Sequence, residues 1–212
     1  MKHLIDLSLY LVAGPADCAN GDLVATVREA VAGGVTVVQL RDKAASDEEF
    51  TALARQLKLV LEGTGVPLVI NDRVHLVEAI GAHGIHVGVK DLPAREVRRI
   101  VGDSVLIGTS INPADTSTLP DPAFVDHVGI GPVFATSTKP DHDAPIGFDG
   151  LARLIAQARV PAVAIGGIKH GHAAQALQAG AHGVCVVSAI AGAAGPRDAA
   201  RRLKAEIEEA RS

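Results

Sequence analysis

Residues 80–87 read IGAHGIHV and residues 179–186 read AGAHGVCV. The shared Gly-Ala-His-Gly, followed by a short apolar run, has the form of a helix end, a glycine turn and a strand start. Its recurrence in the second half predicts one βα unit used repeatedly. Working outward, apolar runs fit strands at 9–12, 35–40, 67–70, 85–87, 105–108, 128–130, 161–165 and 183–187. Amphipathic segments lie between most of them. Asp22 caps a helix whose stripe is Leu23, Val27, Ala30 and Val31, and Ser46 with Glu49 forms a capping box ahead of Phe50, Leu53, Leu57 and Leu61. Further helices are predicted over 74–80, 93–101, 148–158, 172–179 and 196–209, with only a faint helical signal in 113–125.

Parallel strands joined through helices need right-handed crossovers, so this alternation predicts an α/β fold, a single (β/α)₈ TIM barrel forming one domain over residues 1–212. An open doubly wound sheet is the alternative. It is disfavoured because no G-x-G-x-x-G follows the first strand and polar signatures end many strands instead of gathering at one crossover. Hydrophobic residues make up 48%, yet there are only four Phe, one Tyr and no Trp, so the core must be aliphatic. That suits strands covered on both faces.

A net charge of −4 argues against nucleic acid or an anionic membrane as a bulk partner, so any anion must be bound locally. Two cysteines, Cys18 and Cys185, give neither a disulfide framework nor metal spacing and fit a reducing, cytoplasmic setting. The N-terminal MKHLIDLSLYLV is too short and too polar for a signal peptide or membrane span.

In a barrel the strand C-termini open on one face. There the chain would gather Gln39, Arg41, Lys43, Asn71, Asp72, Asp91, Ser110, Thr136, Thr138, Lys139, Gly167 and Ser188. Arg41, Lys43 and Lys139 are cations suited to phosphate; Asp72 and Asp91 are hard oxygen ligands suited to Mg²⁺. Cations with a metal imply a diphosphate. The hydroxyls of Thr136, Ser137 and Thr138 beside Lys139 have a phosphate-handling composition, and Gly166-Gly167 with Ser188 suggest a second anion site. Each motif also has a plainer reading. Asp72 and Asp91 could be helix caps, the run Arg41-Asp42-Lys43 a solvated charge cluster, and 136–139 a polar loop ending at Pro140. Lys43 or Lys139 could be a Schiff-base lysine, His170 with His172 a metal pair, His86 a satisfied core histidine and Cys185 a small core residue.

With QLRDK at 39–43, NDR at 71–73, Asp91, GTS at 108–110, GPVFATSTK at 131–139, AIGGI at 164–168 and VSAI at 187–190 in place, the chain resembles the thiamine-phosphate synthase family from end to end. The resemblance implies a Mg²⁺-dependent transferase. It would join 4-amino-2-methyl-5-(diphosphooxymethyl)pyrimidine to a thiazole phosphate, either 4-methyl-5-(2-phosphoethyl)thiazole or its carboxylated form. It assigns pyrimidine-diphosphate contacts to Gln39, Leu40, Arg41, Asp42, Lys43, Asn71, Ser110 and Lys139. It assigns magnesium to Asp72 and Asp91, and thiazole-phosphate contacts to Thr136, Ser137, Thr138, Gly167, Val187 and Ser188. Arg41, Lys43, Ser110 and Lys139 would carry catalysis. The chain departs from the family pattern at Val89-Lys90 before Asp91 and at Asn112. A thiazole tautomerase of the same family and a non-catalytic precursor-binding barrel are the competing expectations, and a homo-oligomer stays open.

Overall fold

The computed structural model describes residues 5–111, 113, 119–136, 138 and 143–212. Eight strands form its centre: β1 (Leu9–Ala13), β2 (Val37–Leu40), β3 (Leu68–Asn71), β4 (Gly84–Val87), β5 (Leu106–Ile111), β6 (His127–Ile130), β7 (Ala162–Ile165) and β8 (Gly183–Val186). Each pairs in parallel with the next, and β8 returns to β1 with Tyr10 beside Cys185, so the sheet closes. Around it run α1 (Leu23–Ala32), α2 (Asp47–Leu61), α3 (Val77–Ile80), α4 (Ala94–Val101), α5 (Gly147–Ile155), α6 (Ala173–Gln178) and α7 (Pro196–Glu209). This is the (β/α)₈ barrel the alternation predicts.

Local chemistry starts the helices where the sequence said it would. The Asp22 carboxylate accepts from the Ala25 N–H at 2.9 Å. At α2 the Ser46 hydroxyl accepts from Glu49 N–H at 3.2 Å while Glu49 accepts from Ser46 N–H at 2.8 Å, which satisfies two otherwise orphaned donors. Two expectations change. The 74–80 helix splits into a 3₁₀ turn over Val74–Leu76 and the single turn of α3. Strand β5, expected to end at Gly108, continues to Ile111 because Thr109, Ser110 and Ile111 pair with Val128, Gly129 and Ile130 of β6. Ser110 therefore has its direction set by a strand, not by a loop.

Between β5 and β6 no helix is found among the described residues. There the buried Arg98 of α4 does the anchoring, donating to the carbonyls of Gly102 (2.8 Å), Val105 (2.7 Å) and Phe124 (3.3 Å) and to Asp126 (2.6 Å). Asp126 also accepts from the Ile107 N–H at 2.8 Å, so charge and backbone are satisfied together.

Alternation along the strands creates two apolar layers. Leu9, Leu11, Leu40, Leu68, Ile70, Ile85 and Ile107 point outward into the helices with Val27, Phe50, Leu57 and Val97. Tyr10, Val12, Val37, Val69, Val163 and Cys185 pack inside the barrel. The interior positions of β2 to β6 nearer the strand ends hold Gln39, Asn71, His86, Ser110 and Gly129.

Candidate active site

The mouth at the strand C-termini holds one cavity with two lobes. One lobe, about 360 Å³, is lined by Gln39, Arg41, Lys43, Asn71, Asp72, Asp91 and Ser110 together with Tyr10, His86 and His127. The other, about 180 Å³, is lined by Thr136, Thr138, Gly166, Gly167, Val187 and Ser188. Arg41, Val89, Ser110, Gly129 and Asp143 border both, so the lobes are continuous. Gln39, Lys43, Asn71, Asp72 and Asp91 thus line the first lobe alone, and Thr136, Thr138, Gly167, Val187 and Ser188 the second alone.

In the first lobe Lys43 Nζ lies 3.2 Å from Asp72 Oδ2. Asp72 forms the centre of a tight turn in which Arg73 N–H donates to Asn71 O at 2.8 Å, and its φ of 61° makes it the one non-glycine with positive φ among the described residues. Such backbone is uncommon outside glycine and concentrates at functional sites. Burial raises the Asp72 carboxyl pKa, hydrogen-bond contact with Asp91 raises it further, and Lys43 opposes both. Two facing carboxylates need a proton or a cation between them. Asp72 and Asp91 are accordingly the groups that could hold a divalent ion. Neither caps a helix: Asp91 Oδ2 accepts from the Gly88 N–H at 2.6 Å, and α4 begins after Pro93 without a side-chain cap.

In the second lobe the loops after β6 and β7 interlock. Val133 N–H and Phe134 N–H donate to Ile165 O and Gly166 O, each at 2.9 Å. A Cβ at Gly131 would sit 1.9 Å from Ile165 O, and one at Gly167 would sit 2.6 Å from the Phe134 Cβ. Glycine is required for this approach. Thr138 N–H donates to Thr136 Oγ1 at 3.2 Å, curling the hydroxyl-bearing loop on itself.

Some expected residues lie elsewhere. The Leu40 side chain is wholly buried in the outer core, since it alternates with the inward-facing Gln39. The Asp42 carboxylate accepts from the N–H groups of Ala44 (3.1 Å) and Ala45 (3.2 Å), so it shapes the loop and lines neither lobe. His170 contacts Glu206, while His172 Nδ1 accepts from the Lys169 N–H at 3.3 Å and its ring lies 4.5 Å from Phe134. They make no metal pair. Ser137, Lys139, Pro140 and Asn112 lie outside the described residues.

Sequence reasoning missed three groups. His86, expected to be a core histidine, lines the first lobe with Nε2 3.0 Å from Ser110 Oγ. Its strand alternation with Gly84 was a usable signal; its pairing with β5 was not. Tyr10 donates no signal of its own in an apolar run, yet its hydroxyl accepts from Gln39 Nε2 at 2.8 Å and holds that amide at the cavity floor. Asp143 borders both lobes and belonged to no motif.

Comparison with known proteins gives the family and the fold. Residues 9–190 match the family model described as thiamine monophosphate synthase. A thiamine-phosphate synthase of Psychrobacter sp. (strain PRwf-1) is 47% identical over 94% of this chain and 95% of its own length. One from Azorhizobium caulinodans is 44% identical over the full length of both. Among solved structures, a thiamine phosphate pyrophosphorylase from Pyrococcus furiosus superposes with a TM-score of 0.84 at 29% identity, covering 98% of each chain. Full-length similarity in sequence and in barrel geometry leads to one assignment: the chain belongs to the thiamine monophosphate synthase family.

Proposed function

We propose that the chain is a thiamine-phosphate synthase that transfers the (4-amino-2-methylpyrimidin-5-yl)methyl group of 4-amino-2-methyl-5-(diphosphooxymethyl)pyrimidine to the nitrogen of 4-methyl-5-(2-phosphoethyl)thiazole, or of its carboxylated form, releasing diphosphate. The observation that carries this reading is a continuous cavity with Arg41, Lys43, Asp72 and Asp91 lining one lobe, Thr136, Thr138, Gly167 and Ser188 lining the other, and Ser110 bordering both. Relatives named for that activity, matched end to end, support it.

In the reaction the C–O bond to diphosphate breaks with both electrons leaving on oxygen, and the thiazole nitrogen lone pair forms the new C–N bond. The enzyme must hold departing charge, for which Arg41 and Lys43 line the first lobe; the sequence motif adds Lys139 as a further cation. Asp72 and Asp91 would hold Mg²⁺, which supplies positive charge to the leaving diphosphate. In the same lobe, the amide of Gln39, oriented by Tyr10, and the hydroxyl of Ser110, oriented by His86, address the polar edge of the aminopyrimidine. Val12, Val163 and Ile165 offer the ring an apolar wall. Thr136, Thr138, Gly167 and Ser188 hold the thiazole phosphate across the shared border.

An isomerase acting on the thiazole alone would have no use for the Lys43–Asp72–Asp91 lobe, which disfavours the tautomerase. Two unpaired cysteines, Cys185 buried and Cys18 half-buried, support a reducing compartment. No helix among the described residues is long and apolar enough to cross a membrane.

The test is formation of thiamine phosphate from the two substrates, with Mg²⁺ and then with chelator. Product is expected only with the metal, and Asp72→Asn should lower turnover on the order of a hundredfold while leaving the far-UV circular dichroism unchanged. Thiazole phosphate binding without product would end the synthase reading.

A further inference from the structure

We infer that Arg73 is a positioning residue for the diphosphate lobe, fixing where Lys43 and Asp72 stand relative to one another without itself touching substrate. The inference rests on the synthase reading above. Arg73 is only 18% exposed and borders neither lobe of the cavity. Its guanidinium donates to the carbonyl oxygens of Asp42 (3.3 Å) and Ala45 and to the carboxylate of Asp47. It also lies 4.7 Å over the centre of the Phe50 ring, in the first turn of α2.

Those acceptors have a particular arrangement along the chain. Asp42 and Ala45 flank Lys43, so the loop is fastened on both sides of the lysine while its Nζ is left to reach Asp72 at 3.2 Å. Asp42 tightens the same loop through the Ala44 and Ala45 N–H groups. On the other strand end, Arg73 directly follows Asp72, and its own N–H closes the turn that holds Asp72 at positive φ. One residue therefore ties the loop after β2 to the turn after β3. The second oxygen of Asp47 meets His75 Nε2 at 2.6 Å, which holds the acceptor in place. A planar guanidinium can serve several acceptors in different directions and still stack on a ring; a lysine ammonium is a point charge and cannot reproduce that fork.

The test is calorimetric titration of the full chain with Mg²⁺ plus inorganic diphosphate, and separately with thiazole phosphate, for wild type, Arg73→Gln and Arg73→Lys. Arg73→Gln should lose about tenfold or more in diphosphate affinity and Arg73→Lys a smaller factor, with thiazole phosphate affinity held within about twofold in both. The KM for the pyrimidine diphosphate should rise in step while the KM for the thiazole phosphate stays constant. Unchanged diphosphate affinity in Arg73→Lys and Arg73→Gln overturns the inference. Equal losses for both ligands overturn it too, because they would make Arg73 general scaffold. If Arg73→Gln does not fold, Arg73→Lys decides alone by the same criteria. A wild-type protein that binds no magnesium diphosphate would bring down the synthase reading itself, which separates the two failures.

Discussion

His83 and His182 explain why the G-A-H-G echo exists. His83 N–H donates to Leu68 O at 2.9 Å and its Nδ1 accepts from the Leu68 N–H at 3.1 Å; His182 does the same to Ala162, at 2.8 and 3.3 Å. Each histidine pairs completely with the first residue of the neighbouring strand, β3 in one case and β7 in the other, and so sets register where the sheet begins. With Nδ1 as acceptor the ring is neutral and carries its proton on Nε2. His83→Ala and His182→Ala should each cost about 1 kcal/mol, the worth of a lost hydrogen bond that leaves a backbone donor unpaired. Urea unfolding of both variants checks this, and stability equal to wild type in both would refute the pairing. The echo was legible as a repeated helix end, turn and strand start because the same letters recur; the pairing its histidines make was not. His86 was misread as a core histidine for the opposite reason: its partner Ser110 belongs to another strand, and no spacing within the sequence announces it.

Elements carry the binding lobes through their connections. Strand ends were recognisable because polar or glycine-rich residues abruptly follow apolar runs, as in residues 131–139 and 164–168. The interlock of those two loops was hidden, since it depends on which strands become neighbours. The same limit explains β5, whose last residues are strand only because β6 pairs with them. It also explains the region after β5, where Arg98 provides hydrogen bonds that the sequence pattern would have sought from a helix. At the interlock, Gly167 has φ 67° and its Cβ position is occupied by Phe134. Gly167→Ala should therefore destabilise by about 2 kcal/mol. It should also weaken thiazole phosphate binding more than magnesium diphosphate binding, because the strain falls on the loop bearing Thr136. Calorimetry with the two ligands measures the ratio, and an unchanged ratio would show that the loop after β6 does not depend on this contact.

Across the whole molecule, an aliphatic composition was expected to give an aliphatic core, and the layer between barrel and helices fits that expectation. The barrel interior does not. Its β7, β8 and β1 side is apolar, while Gln39, Asn71, His86 and Ser110 make the other side polar, and His127 lies wholly buried beneath them. Glycine at 108 makes room for this: a Cβ there would fall 2.4 Å from His127 Nε2 and 2.8 Å from His86 Nδ1. Neither ring nitrogen of His127 has a hydrogen-bond partner among the described residues. Burial lowers its pKa from 6.5 to about 4, against a smaller opposing effect of Asp126. Between those values the unfolded chain binds the proton and the folded chain does not, so stability rises with pH. The contribution is full above pH 6.5 and is lost as pH falls towards about 4, by about 3 kcal/mol in all at roughly 1.4 kcal/mol per pH unit. His127→Leu removes the titrating group at similar size and leaves no unpaired polar atom, so at about pH 7.5 it should be at least as stable as wild type. Towards about pH 4.5 its advantage should grow by about 2 to 3 kcal/mol. Urea unfolding of the pair at both pH values reads that difference directly, and a gap that stays constant with pH would mean that His127 is protonated, or paired, inside the barrel.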